Sequence, residues 1–315
     1  MATIEELIKQ KASRLSTVPD ELFTGIERFQ TFMFEEILAL LSGLDAKNGY
    51  FLKTKKNLDL ATDIREELKK VLSGKEYLST VLQFASEFDQ QKKIADKYFT
   101  KIFSEFEPDK FSDTLIQKAK QNAIELLSSA TPKTEFLLNL ESQISRAVET
   151  QSSFKDLVKI LRIEALGIPD HGVNDRYVIP KDGKLLRYAK QVASDTLALA
   201  DRSYTNSIAQ DLGAEWFLYF GDELPTSREF CIERYDKYFH KKEVEAWAKL
   251  EWAGKMKDST NEQTIFINCG GWRCQHSLLP VTIDQVPREV ILRNISSGNF
   301  EPTAFDRKEL NLPAA

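Results

Sequence analysis

Asn268-Cys269-Gly270-Gly271-Trp272-Arg273-Cys274-Gln275-His276 holds two of the chain's three cysteines and one of its three histidines. The third cysteine, Cys231, lies upstream, and all four tryptophans (Trp216, Trp247, Trp252, Trp272) fall in the same part of the chain. Gly270 and Gly271 allow the backbone to turn tightly between Cys269 and Cys274. Cys274 and His276 are two residues apart, so on an extended segment both side chains point to one side. A stretch this rich in thiol, imidazole and aromatic groups marks the C-terminal third as a small module with its own core.

The flanking sequence agrees. Ala214–Phe220 is short, aromatic and bounded by Gly213 and Gly221, which predicts a strand. Residues 264–268 and 277–283 predict two more strands. Thr226-Ser227-Arg228-Glu229 matches a capping box and places Cys231 on the first turns of a short helix. Lys242 to Lys255 predicts a helix with Val244, Trp247, Ala248 and Trp252 inward, and a longer helix runs from Lys184 towards Ala209. The tail from 296 to 315 has two prolines and no periodicity, which predicts an extended arm.

Upstream, residues 1–166 read as helix after helix. Leu22, Ile26, Phe29, Met33, Ile37, Leu40 and Leu44 step by three and four along one stripe, with Asp20 as a cap after Pro19 and Gly43 near the end. The pattern recurs at Leu60, Ile64, Leu68 and Val71. It returns at Tyr77, Val81, Phe84 and Phe88, and again at Ile94, Tyr98, Ile102 and Phe106, before Pro108-Asp109. Two further helices carry Leu115, Ala119, Ile124 and Leu127, then Leu140, Ile144 and Val148. These stripes are core-packing faces. Gly167-Ile168-Pro169-Asp170-His171-Gly172 is a loop by its turn residues, and His171 within it reads as a solvated residue. The predicted architecture is mainly α with a small C-terminal α+β module. Its parts are a helical domain over 1–166, a linker over 167–183, an α+β domain over 184–295 and the tail over 296–315.

No apolar run approaches a membrane span, and the acidic start Met1-Ala2-Thr3-Ile4-Glu5-Glu6 lacks the basic opening of a signal peptide. The net charge of -5 and pI near 5.5 speak against binding nucleic acid through phosphate contacts alone. Three cysteines suit a reducing compartment better than a disulfide framework.

Cys231, Cys269, Cys274 and His276 have the donor types and number of a closed zinc site, so a structural zinc is one reading. Their C-x4-C-x-H spacing with a distant fourth member differs from the usual paired cysteines. A second reading is that Cys231 is a small buried hydrophobe and that Cys274 and His276 make local hydrogen bonds. A disulfide is a third. An enzymatic reading takes Cys231 or Cys274 as nucleophile, His240 or His276 as base and Asp222 or Asp236 as orienting group. A nuclease version sets Arg228, Arg273 and Lys242 on phosphate. No Gly-rich phosphate loop, H-E-x-x-H or G-x-S-x-G motif accompanies these residues.

Several separated elements then appear in a recognisable order: Thr226-Ser227-Arg228-Glu229-Phe230-Cys231; Tyr238-Phe239-His240 with Glu243-Val244 and Trp247; Gly270-Gly271-Trp272-Arg273-Cys274-Gln275-His276; and Leu279-Pro280-Val281. From about Lys184 to Val290 the chain resembles the phage head morphogenesis family, the Mu F-like minor head (minor capsid) proteins. Arg228, Cys231, Gly270, Gly271, Cys274, His276 and Pro280 match that pattern. Cys269 does not, and Gln275 stands where an arginine is more usual. The resemblance implies a structural head protein without enzymatic turnover, acting at or near the portal of a tailed phage or prophage. Its implied partners are the portal and other capsid proteins, with packaged DNA as a further contact. Its implied location is the host cytoplasm during assembly and then the virion head, with residues 1–166 serving assembly or docking.

Overall fold

The computed structural model describes residues 3–107, 110–168, 181–221, 227–310 and 312, with backbone alone at 110–112, 130–132, 168 and 181. The chain is mainly helical, with a few short antiparallel strands, as the periodicity predicts. It gathers into two compact units, one of residues 1–18, 86–121 and 194–315 and the other of 19–85 and 122–193. These units interleave along the chain, whereas the sequence reading divides it at 167–183. Four long helices each give one segment to each unit, because their stripes run on through the cut points.

The first of these, α1 (Ile4–Leu41), continues through Pro19. The expected start at Asp20 is therefore corrected. Buried Leu15 and Val18 precede the proline and Leu22 and Ile26 follow it on one stripe. Packing along that stripe outweighs the roughly 3 kcal/mol that an interior proline costs. A minimal hairpin, β1 (Ala46–Lys47) and β2 (Tyr50–Phe51), leads to α2 (Lys55–Leu72), whose first turn is capped by the Thr54 hydroxyl accepting from Asn57 N at 3.2 Å. The buried stripe of α2 is Ala61, Ile64, Leu68 and Leu72. Next come α3 (Lys75–Ile102), α4 (Lys110–Ser128), α5 (Ala130–Glu149) and α6 (Phe154–Leu166). Helix α5 packs between α2 and α6 through Phe136, Leu140, Ile144 and Val148. A two-residue pairing, β3 (Gly167–Ile168) with β4 (Lys181–Asp182), brackets the predicted loop, and His171 lies outside the described residues.

Helix α7 (Lys184–Asp211) delivers the chain to a three-stranded antiparallel sheet. Its centre is β5 (Trp216–Phe220), flanked by β6 (Lys237–His240) and β7 (Ser277–Val281). Trp216 faces His240 and Val281 in register, and Tyr219 faces Lys237 and Leu278. All five β5 residues are buried, so the sheet is covered on both faces. Pro280 sits on the edge strand β7, where a missing N–H is tolerated, and its carbonyl accepts from the Tyr98 hydroxyl at 2.8 Å. Near the same strand lies a charge pair taken out of water. The Lys11 ammonium donates to Asp201 and to the Thr205 hydroxyl, Gln91 donates to Asp201, and Ser277 approaches it at 3.4 Å. A buried pair needs such extra hydrogen bonds to offset its desolvation.

Four local expectations are corrected. Residues 264–268 form a helical turn, α10 (Ile265–Asn268), rather than a strand. The Asn261 carboxamide oxygen accepts from Gln263 N and Thr264 N, and Thr264 Oγ1 accepts from Asn261 N, so side-chain-to-backbone bonds override the β-branched run. The third strand of the sheet is β6. The helix expected over Lys242–Lys255 is the shorter α9 (Lys241–Trp247). Lys255 folds back to donate to the Ala248 and Leu250 carbonyls, satisfying the chain that leaves α9. The tail is not simply extended: after α11 (Arg288–Ser296), α12 (Ala304–Glu309) is capped by Thr303 and Asp306, and Leu312 is buried. The short helix α8 (Glu229–Ile232) carries Cys231 as expected, but its N-cap is Arg228 without a side-chain bond, and Thr226 lies outside the described residues.

His240 joins β6 to α9. Its Nδ1 accepts from Lys242 N, its own N–H donates to Glu243, and its ring stands edge-on to Trp216 at 4.9 Å. Burial pulls its pKa below the usual imidazole value. The unfolded chain therefore takes up a proton that the folded chain refuses, so stability is full above about pH 6.5 and falls as pH drops through that value towards the folded pKa. Replacing His240 with Asn keeps an N-cap acceptor and removes the titration. Urea unfolding at pH 8 and pH 5 should show a smaller loss for His240→Asn than for the wild type; equal losses would contradict this.

Candidate metal centre

Alternation along β5 sends Phe217 and Tyr219 into one cluster with Phe230, Cys231, Val244, Trp247, Ile265, Phe266, Cys269, Cys274 and Leu278. Helix α8 brings Cys231 under the sheet. The turn after α10 brings Cys274 and His276 to the start of β7. The Cys231 and Cys274 Sγ atoms lie 3.9 Å apart, and Cys274 Sγ lies 3.8 Å from His276 Nδ1. All three residues are at most 4% exposed, and their donor atoms lie within 4.8 Å of one another. This group could hold a metal ion.

The loop that makes this possible is held from several sides. Arg228 donates through its guanidinium to the Trp272 carbonyl, Trp272 N donates to Gly254 O at 2.9 Å, and Trp252 Nε1 donates to Gly270 O at 2.9 Å. The Trp252 ring stacks on Phe230 at 4.1 Å. Gly254 and Gly271 both have positive φ, and a side chain on Gly271 would collide with the Gly254 carbonyl. A methyl on Gly270 would sit 2.5 Å from Cys231 Sγ and 2.8 Å from Cys274 Sγ, so glycine there leaves the thiols their space. Gly221 plays the same part against the His276 ring, which its added Cβ would approach at 2.9 Å.

Cys269, the fourth candidate ligand, is buried but stands outside the group: its thiol meets the Phe266 carbonyl at 3.5 Å. Burial pushes it up to about 12, with Arg202 opposing. Within the pair, hydrogen bonding from Cys231 holds the Cys274 thiol well below its usual range despite burial, helped by His276 and Arg202. The Cys231 thiol is raised by the same bond and by burial. Tyr219 closes the group: its hydroxyl donates to Cys231 Sγ at 3.3 Å and lies 3.9 Å from Cys274 Sγ, and its ring stacks on His276 at 5.3 Å. His276 Nε2 is buried with no hydrogen-bond partner among the described residues.

Tyr219 and the buried Arg202, whose guanidinium reaches the His276 carbonyl at 3.5 Å, are absent from the sequence-based candidates. The signal for Tyr219 was available in its parity with Phe217 on a predicted strand. Arg202 had none, being one charge among many on a long helix. Of the enzymatic alternatives, Asp222 lies outside the described residues, Asp236 is exposed in a left-handed turn, and His240 caps α9 on another part of the module. No family model, curated protein or solved structure matches this chain.

Gly270→Ala should drive a methyl into both thiols and cost about 1–3 kcal/mol, the usual range for overpacking a filled core. Urea unfolding followed by tryptophan fluorescence reads this. A change within about 0.5 kcal/mol, typical of surface substitutions, would contradict it.

Proposed function

We propose that this chain is a structural minor head protein of a tailed phage or prophage, working in head morphogenesis without turnover. Its C-terminal module would be held shut by a zinc ion on Cys231, Cys274 and His276. The observation that carries the reading is convergence. Arg228, Cys231, Gly270, Gly271, Cys274 and His276, which lie on separated elements and carry the family resemblance, meet in one closure. Residues that serve a closure in this way have structural work, and Cys231, Cys274 and His276 are buried among the described residues. Two thiols and an imidazole are a zinc donor set, and Gly270 and Gly221 leave room beside them. Zinc would supply there a cross-link between α8 and β7, which a module with so short a sheet gains from.

The partners on this reading are the portal and other head proteins, with packaged DNA as a further contact. The chain would act in the host cytoplasm during assembly and then reside in the virion head. No helix among the described residues is long and apolar enough to cross a membrane. The enzymatic alternative would draw on Cys274 and His276, and the two readings part at mutation.

Purified protein should co-sediment with portal rings or procapsids, and Cys274→Ala and His276→Ala should lower the unfolding midpoint of the C-terminal module. Failure to co-sediment at any salt concentration would sink the assembly reading. Variants that keep full stability while losing a nuclease or toxin-like activity would favour the enzyme.

A further inference from the structure

Three ligands leave a zinc ion one coordination position short of the closed tetrahedron that structural sites adopt. The atom available for that position is the Tyr219 hydroxyl oxygen. Zinc bonds of about 2.3 Å to sulfur and about 2.0–2.2 Å to nitrogen or oxygen give tetrahedron edges of about 3.8 Å between two sulfurs and about 3.5 Å between sulfur and a lighter donor. The separations found are 3.9 Å between the sulfurs, 3.8 Å from Cys274 Sγ to His276 Nδ1, and 3.3 Å and 3.9 Å from the Tyr219 oxygen to the two sulfurs. These four of the six edges lie within a few tenths of an ångström of the expected lengths, and Cys231 Sγ lies within 4.8 Å of the His276 donor.

Resting on the zinc reading above, we propose that Tyr219 is the fourth ligand, joining the two cysteines and the histidine in a closed shell with no position open to water. Cys269 cannot take that place without leaving Phe266 and Arg202. Tyr219 is fully buried at the centre of the sheet, fixed by β7 on one side and β6 on the other, and clamped by edge-on contact with Trp247 at 5.9 Å and stacking on His276. Its oxygen is thus held where the sulfurs are, with no rotamer search needed. As the ion binds, the Cys231, Cys274 and Tyr219 protons leave to solvent and a lone pair from each goes to the metal; the two thiolates match the charge of the dication, and the buried Arg202 guanidinium, which acts on Tyr219, meets that of the phenolate. The closed shell separates this site from catalytic zinc centres, which keep a water position.

The test is zinc chloride titration of the full chain after chelator and reductant treatment, read by metal content and by near-ultraviolet difference absorption. The wild type should take up one zinc and develop a tyrosinate difference band. Tyr219→Phe should still bind one zinc, without the band, and more weakly by at least the roughly 10- to 100-fold that loss of an outer-shell partner costs. Tyr235→Phe, which keeps the edge-on ring contact with His276 and removes only a second nearby hydroxyl, should keep the band. Stoichiometric zinc with no band in the wild type, or a band surviving in Tyr219→Phe, overturns the Tyr219 ligand and leaves the three-ligand zinc site standing. No zinc uptake by the wild type overturns the zinc site itself, and the fourth ligand with it.

Discussion

Two thiols, an imidazole and a phenol are buried together beneath a three-stranded sheet, and their mutual contacts are the constraint on which the C-terminal module depends. Polar groups removed from water must be satisfied where they lie. Here they satisfy one another at all but one atom: the phenol donates to one sulfur, the sulfurs face each other, and His276 Nδ1 faces Cys274, while His276 Nε2 has no partner among the described residues. Because Cys231 comes from α8, Tyr219 from β5 and His276 from the residue before β7, these contacts tie α8 to the β5–β7 ladder. The glycines, the Arg228 bond to Trp272 and the Trp252 bond to Gly270 all shape the loop that brings the last two donors in.

The remainder of the same unit is organised around a different buried polar set. Lys11 and Asp201, with Thr205, Gln91 and Ser277, fix the first turns of α1 against α7 and the start of β7. A buried pair of this kind adds little net stability, because desolvation offsets its Coulombic gain, but removing one partner would leave the other charge unpaired. In the other unit, apolar stripes are joined by neutral hydrogen bonds from buried side chains: Gln30 donates to the Ala165 carbonyl, Asn57 to the Asp45 and Leu52 carbonyls, and the Tyr77 hydroxyl to the Leu127 carbonyl.

Long stripes were legible in the sequence because a 3.6-residue period repeated over many turns outweighs single exceptions. Pro19 was such an exception, and it misled by marking a helix start where the stripe simply continued. Short elements were not legible by the same means. Residues 264–268 have a strand's composition but are turned into a helix by Asn261 and Thr264, and Lys237–His240 pairs with β5 though its four residues carry little pattern. In the site, the two-residue spacing of Cys274 and His276 placed both correctly on one side. Cys269 had the right chemistry in the wrong place, because a turn with positive φ at Cys269 aims its thiol towards Phe266. Tyr219 escaped notice because a tyrosine in an aromatic strand reads as core.

The central claim is that a metal on this buried group holds the module closed. Amide hydrogen exchange on the full chain, before and after chelation, tests it most directly, because protection reports local opening free energy. The account predicts that chelation strips protection from Trp216–Phe220 and Ser277–Val281 while Lys55–Leu72 in the other unit keeps its own. Unchanged protection of both strands after complete metal removal would contradict it.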